Sequence, residues 1–149
     1  MNILLVEDEV HKRDELIQCV KEIYGYEPRL VDSVNEAVLA VIKNDFDLII
    51  LDMALSTFGE QSADNKKGHD QAQGGIEVLR ALKATKKNAK VIIVTQYPDF
   101  YIGGGKVKLQ NSPKVIAEKY GQTVIGAVLY TYKNNAVLQK ISSILRKQL

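Results

Sequence analysis

Three carboxylates stand at the ends of apolar runs. Glu7 and Asp8 follow residues 2–6 (NILLV), and Asp52 follows residues 48–51 (LIIL). Thr95 ends a third run, residues 91–94 (VIIV), while Tyr130 and Lys133 lie at or after a fourth within TVIGAVLYTY. Acids packed together repel, so they raise one another's pKa or recruit a cation. An all-oxygen acidic set suits Mg²⁺, which is octahedral and keeps several waters. Such a metal bridges a phosphoryl oxygen and neutralises charge as that group transfers. A carboxylate in the place of Asp52 can be the nucleophile and become an aspartyl phosphate. Lys133 would then pair with a phosphoryl oxygen, and Thr95 would donate a hydrogen bond to another. Each residue also has a plainer reading: a solvated turn, an N-cap, a strand-end filler, an exposed lysine, a core tyrosine. The conjunction at four strand ends carries the chemical one.

These residues need a scaffold that brings strand ends together. The four apolar runs and the shorter PRLV read as strands. Between them run amphipathic helices. Leu16, Ile17, Val20, Ile23 and Tyr24 recur at helical spacing and stop at Gly25. Ser33 and Glu36 form a capping box ahead of Val34, Ala37, Val38, Val41 and Ile42. Ile76, Leu79 and Leu82 mark a third helix. Ser112 and Pro113 read as N-cap and N1 of a short fourth, stopped by Gly121. Asn134 or Asn135 caps a fifth, with Val137, Leu138, Ile141, Ile144 and Leu145 inward. Strand–helix repeated five times, with strands apolar on both faces, predicts an α/β fold: a doubly wound parallel sheet covered by helices on both faces. In such sheets the functional crevice lies beyond the carboxyl ends of the strands.

Composition sets the outer bounds. The 149 residues, 46% hydrophobic and 26% charged, suit one globular domain with no linker, repeat or output domain. No apolar run approaches the roughly 20 residues that span a bilayer. The start, MNILLVEDE, has no basic region and does not read as a signal peptide, so the expected location by default is the cytoplasm. A net charge of +2 does not by itself imply nucleic acid. The lone Cys19 is expected to pack, and His11 and His69 show no metal-ligand spacing.

With these residues in place, the chain resembles the receiver domain of two-component response regulators. The resemblance rests on ILLVEDE, DLIILDM, GGIEVLRAL, VIIVT and GAVLYTYK and covers nearly the whole chain. It implies a flavodoxin-like, five-stranded sheet of order 2-1-3-4-5. It implies Asp52 as phosphoacceptor, with Mg²⁺ held by Glu7, Asp8, Asp52 and the backbone carbonyl of Ala54. Thr95 and Tyr130 would be the switch pair and Lys133 the phosphate-binding lysine. A histidine kinase or phosphotransfer protein would be the donor, and a separate effector the output. Helix four, strand five and helix five form a common dimer face in that family. The chain departs from the family pattern at Ser56, Gln96 and Asn134, which stand where a proline, a small residue and a second proline are usual.

Two segments, 53–74 and 96–112, are each longer than usual by roughly fifteen residues. Both read as loops, forming a rim or lid over the site or else an insertion without a role. The aromatics Tyr97, Phe100 and Tyr101 would dock on the domain or on a partner. Residues 103–105 (GGG) lack the context of a nucleotide loop. Two rival functions remain. One is a receiver-like docking module that is never phosphorylated. The other is a Mg²⁺-dependent phosphohydrolase, disfavoured because Ala54 stands where its second acid belongs. The leading expectation is a phosphorylation switch and not an enzyme.

Overall fold

A computed structural model describes residues 1–55 and 74–149. The expectations placed on Ser56, His69 and most of the first long segment therefore lie outside the described residues. The described elements are β1 (Ile3–Val6), α1 (Val10–Tyr24), β2 (Arg29–Val31), α2 (Val34–Lys43), β3 (Leu48–Leu51), α3 (Gly74–Ala84) and β4 (Lys90–Thr95). After them come β5 (Asp99–Ile102), β6 (Gly105–Lys108), α4 (Ser112–Tyr120), β7 (Thr123–Leu129) and α5 (Asn135–Arg146).

The main sheet is parallel throughout, in the order β2-β1-β3-β4-β7. With β7 as its fifth strand, this is the expected order 2-1-3-4-5. Side chains alternate across it and build two cores. Leu4, Val6, Ile49, Leu51, Val91 and Ile93 pack under α2, α3 and α4. Ile3, Leu5, Leu48, Ile50, Ile92, Val94 and Val128 pack under α1 and α5. No helix among the described residues is long and apolar enough to cross a membrane.

Helix ends follow local chemistry. Gly25 takes a left-handed φ of 84° and its N–H donates to the Lys21 carbonyl, closing α1. Ser33 Oγ accepts the Glu36 N–H at 3.2 Å, and Asn134 Oδ1 accepts the Val137 N–H at 3.2 Å. Two details correct the sequence reading. Ser112 is the first residue of α4, not its cap; its buried hydroxyl donates to the Leu109 carbonyl at 2.7 Å. Ile42 is exposed, and Ala40 takes the inward place on α2.

The larger correction concerns residues 96–112. They are not a loop: β5 and β6 form an antiparallel hairpin, followed by a 3₁₀ turn at Leu109–Asn111. Its turn is Gly103–Gly104, with φ of 60° and 84°, the paired positive values that a two-residue hairpin connection of type I′ requires. Phe100 and Ile102 alternate inward and join the core beneath α3 and α4. Tyr101, between them, faces water. The aromatics thus divide: Phe100 docks on the domain itself.

Because Phe100 is 2% exposed, Phe100→Ala is expected to lower stability by about 3–5 kcal/mol in urea unfolding. Tyr101→Ala is expected to stay within about 0.5 kcal/mol of the parent. Equal effects at the two positions would show that the hairpin is not part of the core.

Candidate functional site

Strand pairing places the acids. β1 and β3 run in register with Val6 opposite Leu51, so Glu7 and Asp52 are each the first residue past a strand. The Asp52 N–H donates to the Val6 carbonyl at 3.2 Å and continues the ladder one step. Alternation then sets direction. Glu7 follows Ile3 and Leu5; Asp52 follows Leu48 and Ile50; Gln96 follows Ile92 and Val94; Tyr130 follows Val128. All four continue the parity of the face covered by α1 and α5.

At that end the three acids converge. Glu7, Asp8 and Asp52 are buried, and one carboxylate oxygen from each lies within 4.8 Å of the others. A fourth group shares the space. The ammonium of Lys12, from α1, sits 2.8 Å from Glu7 Oε1 and 3.1 Å from Asp52 Oδ2. It also donates to Gln96 Oε1 at 3.0 Å. The remaining oxygens are engaged from the backbone: Glu7 Oε2 accepts the Glu9 N–H at 3.1 Å, and Asp52 Oδ1 accepts the Ala54 N–H at 2.9 Å. Gln96 in turn donates its amide to Glu9. Lys12 has no exposed surface at all, so this is a buried charge matched by buried charges.

Burial and the Asp52 charge push Glu7 up to about 8, although Lys12 pulls the other way. Burial disfavours the Lys12 ammonium, but the carboxylates of Asp52 and Glu7 outweigh it and raise its pKa. The oxygen-only donor set of the triad suits Mg²⁺, and two of its three members already hold an ammonium.

The glycines after the first long segment fit closely beneath this site. A Cβ on Gly75 would stand 2.7 Å from Met53 Cα and 2.9 Å from the Asp52 carbonyl oxygen. The Gly75 N–H donates to the Met53 carbonyl at 3.0 Å. The start of α3 thus rests directly on the backbone that carries Asp52.

The other sequence-predicted residues divide. Thr95 is fully buried at the end of β4, its hydroxyl oxygen accepting the Tyr97 N–H at 3.3 Å. Tyr130 is buried and its hydroxyl donates to Glu15. Burial and that hydrogen bond push its phenol well up. Its ring centroid lies 5.6 Å from the Lys12 ammonium. Lys133 is elsewhere. β7 ends at Leu129, and Lys133 sits in the following turn with φ of 55°, exposed, its ammonium 5.4 Å from the Tyr132 ring centroid. Among the described residues it forms no ion pair. Lys12 and Gln96 were not singled out from sequence as members of the site. For Lys12 a signal existed: positions 12, 16, 19 and 20 form the buried stripe of α1.

This fold, with its acids at the ends of the first and third strands, defines a class. The response regulator receiver domain family matches residues 3–102, and the chain belongs to that family. It is a two-component signalling protein with an acidic Mg²⁺-type site, not a catalyst. Among its relatives are two proteins named Detocs response regulatory protein DtcB. The one from Vibrio alginolyticus is 32% identical over 89% of this chain and 91% of that protein. The one from Enterobacter cloacae (strain JD6301) is 24% identical over 87% and 88%. In structure the chain is similar to a response regulator from Colwellia psychrerythraea (TM-score 0.63, 19% identity, 99% and 98% covered). It is also similar to TrrA from Thermotoga maritima, solved in complex with Mg²⁺–BeF (TM-score 0.57, 21% identity, 97% and 99% covered). These two likenesses concern the fold.

The raised pKa of Glu7 has a signed consequence. Between about 4.5 and 8 the folded protein keeps a proton that the unfolded chain releases. Stability from this group is therefore full below 4.5 and lost as pH rises through 8. In metal-free buffer, the melting temperature of Glu7→Gln minus that of the parent is expected to grow between pH 5 and 8.5. A difference independent of pH would contradict the assignment.

Proposed function

We propose that this chain is a phosphorylation-dependent switch in which Asp52 accepts a phosphoryl group from a histidine kinase or phosphotransfer protein. The observation that carries this is the buried convergence of Glu7, Asp8 and Asp52 at the carboxyl ends of β1 and β3 in a receiver fold. Mg²⁺ would be held by those three side chains and the Ala54 backbone carbonyl. When bound, it neutralises phosphoryl charge. The chain's own residues do the rest. The Ala54 N–H holds Asp52 Oδ1, which orients the carboxylate, and burial keeps bulk water from the acyl phosphate. Thr95, at the end of β4, supplies a hydroxyl whose oxygen accepts the Tyr97 backbone N–H. Tyr130 is the aromatic member of the switch, held inward through Glu15.

The protein acts in the cytoplasm as a single receiver domain, residues 1–149, and its output runs through a separate effector protein. Membership in the family pairs it with kinases; the relatives named DtcB, matched over 91% and 88% of their lengths, are named as response regulatory proteins. The face of α4, β7 and α5 is the expected surface for self-association.

A second reading has a specific observation behind it. The Lys12 ammonium lies between Glu7 and Asp52, 2.8 Å and 3.1 Å from their carboxyl oxygens, and supplies a positive charge to the site from within the chain. A docking module that is never phosphorylated would keep such a pair. Intact-protein mass separates the two. After incubation with Mg²⁺ and a small acyl-phosphate donor, the parent is expected to gain one labile phosphoryl group and Asp52→Asn none. No gain in the parent, with beryllofluoride also failing to bind, would leave the docking module.

A further inference from the structure

The family resemblance assigns the phosphate-gripping cation to Lys133, on the turn after β7. In this chain that turn leaves Lys133 exposed and beside Tyr132, while a different ammonium occupies the pocket. We infer that Lys12, on α1, is the cation that holds the phosphoryl group on Asp52, and that Gln96 positions it. The inference rests on the reading of Asp52 as phosphoacceptor.

The geometry supplies the role. Lys12 Nζ lies 3.1 Å from Asp52 Oδ2, the carboxylate oxygen that Ala54 does not hold. Its ammonium faces three oxygens: it donates to Gln96 Oε1 and pairs with the carboxylate oxygens Asp52 Oδ2 and Glu7 Oε1. In the transfer, an Asp52 carboxylate oxygen forms a bond to phosphorus. The donor's phosphorus–nitrogen or phosphorus–oxygen bond breaks, and the donor atom leaves with the electron pair. The Asp52 carboxylate loses its charge as it becomes a mixed anhydride. The negative charge now sits on the phosphoryl oxygens, two bonds farther out. A buried ammonium already facing Asp52 follows that charge by a change of side-chain rotamer alone.

Gln96 makes the placement specific. Its carbonyl takes one donor of Lys12 and its amide is anchored on Glu9, so the ammonium is aimed from the β4 side as well as by the acids. A small residue at position 96 would leave that donor with no partner from this direction.

The test uses Lys12→Gln, Lys12→Arg and Lys133→Gln on the full chain. Each is followed by intact mass during reaction with an acyl-phosphate donor and by Mg²⁺ titration without donor. Lys12→Gln is expected to lower the rate of Asp52 phosphorylation at least tenfold while binding Mg²⁺ as tightly as the parent or more so, since a competing cation is gone. Lys12→Arg should recover part of the rate, and Lys133→Gln should stay within twofold of the parent. A merely structural lysine predicts another pattern: metal binding and phosphorylation fall together and arginine does not rescue. That pattern overturns the inference, as does parental phosphorylation of Lys12→Gln or a tenfold loss at Lys133→Gln. If Lys12→Gln does not fold by circular dichroism, the other two variants decide by the same criteria. A parent that binds Mg²⁺ yet takes no phosphoryl group sinks the Asp52 reading first, and this inference with it. A labelled parent with an unaffected Lys12→Gln sinks only the lysine assignment.

Discussion

An ammonium cut off from water must be matched by charge close at hand, because an isolated buried ion costs far more than a domain can supply. Lys12 meets that condition only where it is. Glu7 comes from the end of β1, Asp52 from the end of β3 and Gln96 from the residue after β4. Three strand ends must be in register, and α1 must lie across them, before the charge is satisfied. Removing any one partner leaves an uncompensated group in the interior. The pair adds little stability of its own compared with an apolar filling. What it does impose is geometry: the ends of β1, β3 and β4 and the inward face of α1 come together around one ammonium.

The parallel sheet was legible because its strands are apolar on both faces and separated by helices of clear period, as in LIIL and VIIV. Glu7, Asp8 and Asp52 were legible for the same reason, since the strand ends could be found. The hairpin was not. Its glycines permit a loop, yet two adjacent glycines between DFYI and GKVK are also a hairpin signal. The alternation of Phe100 and Ile102 decides between the two readings. Lys12 is hard to read because residue type and position point in opposite directions. A lysine is seldom buried, but its place four residues before Leu16 puts it on the inward stripe of α1. Lys133 was placed by spacing from Tyr130. The chain instead leaves the sheet after Leu129 and turns, with Asn134 starting α5.

Close packing extends the same constraint to the other side of Asp52. Gly75 allows α3 to begin against Met53 with no room for a Cβ, so the backbone at Asp52 is pinned by a helix start. The hairpin closes the neighbouring layer: Phe100 and Ile102 share a core with Ile76 and Leu79 of α3. Gln96 lies between these regions. It touches Lys12 in the site and stands three residues before β5. The enlarged segment is therefore contiguous with the site through a polar side chain, and with the core through apolar ones.

Two cations would compete for one set of oxygens in this pocket. Lys12 faces Oε1 of Glu7 and Oδ2 of Asp52, and backbone N–H groups hold the other oxygen of each. A divalent ion joining the triad finds the negative charge already reduced by one, so its binding is weaker than three bare carboxylates would give. An incoming phosphoryl group meets the opposite situation, since the same ammonium attracts it. The placement of a lysine on α1 thus trades metal affinity for readiness to hold an anion. Because Lys12 is carried by a helix whose inward stripe continues through Leu16, Cys19 and Val20, that balance is set by core packing and not by the conformation of the turn after β7.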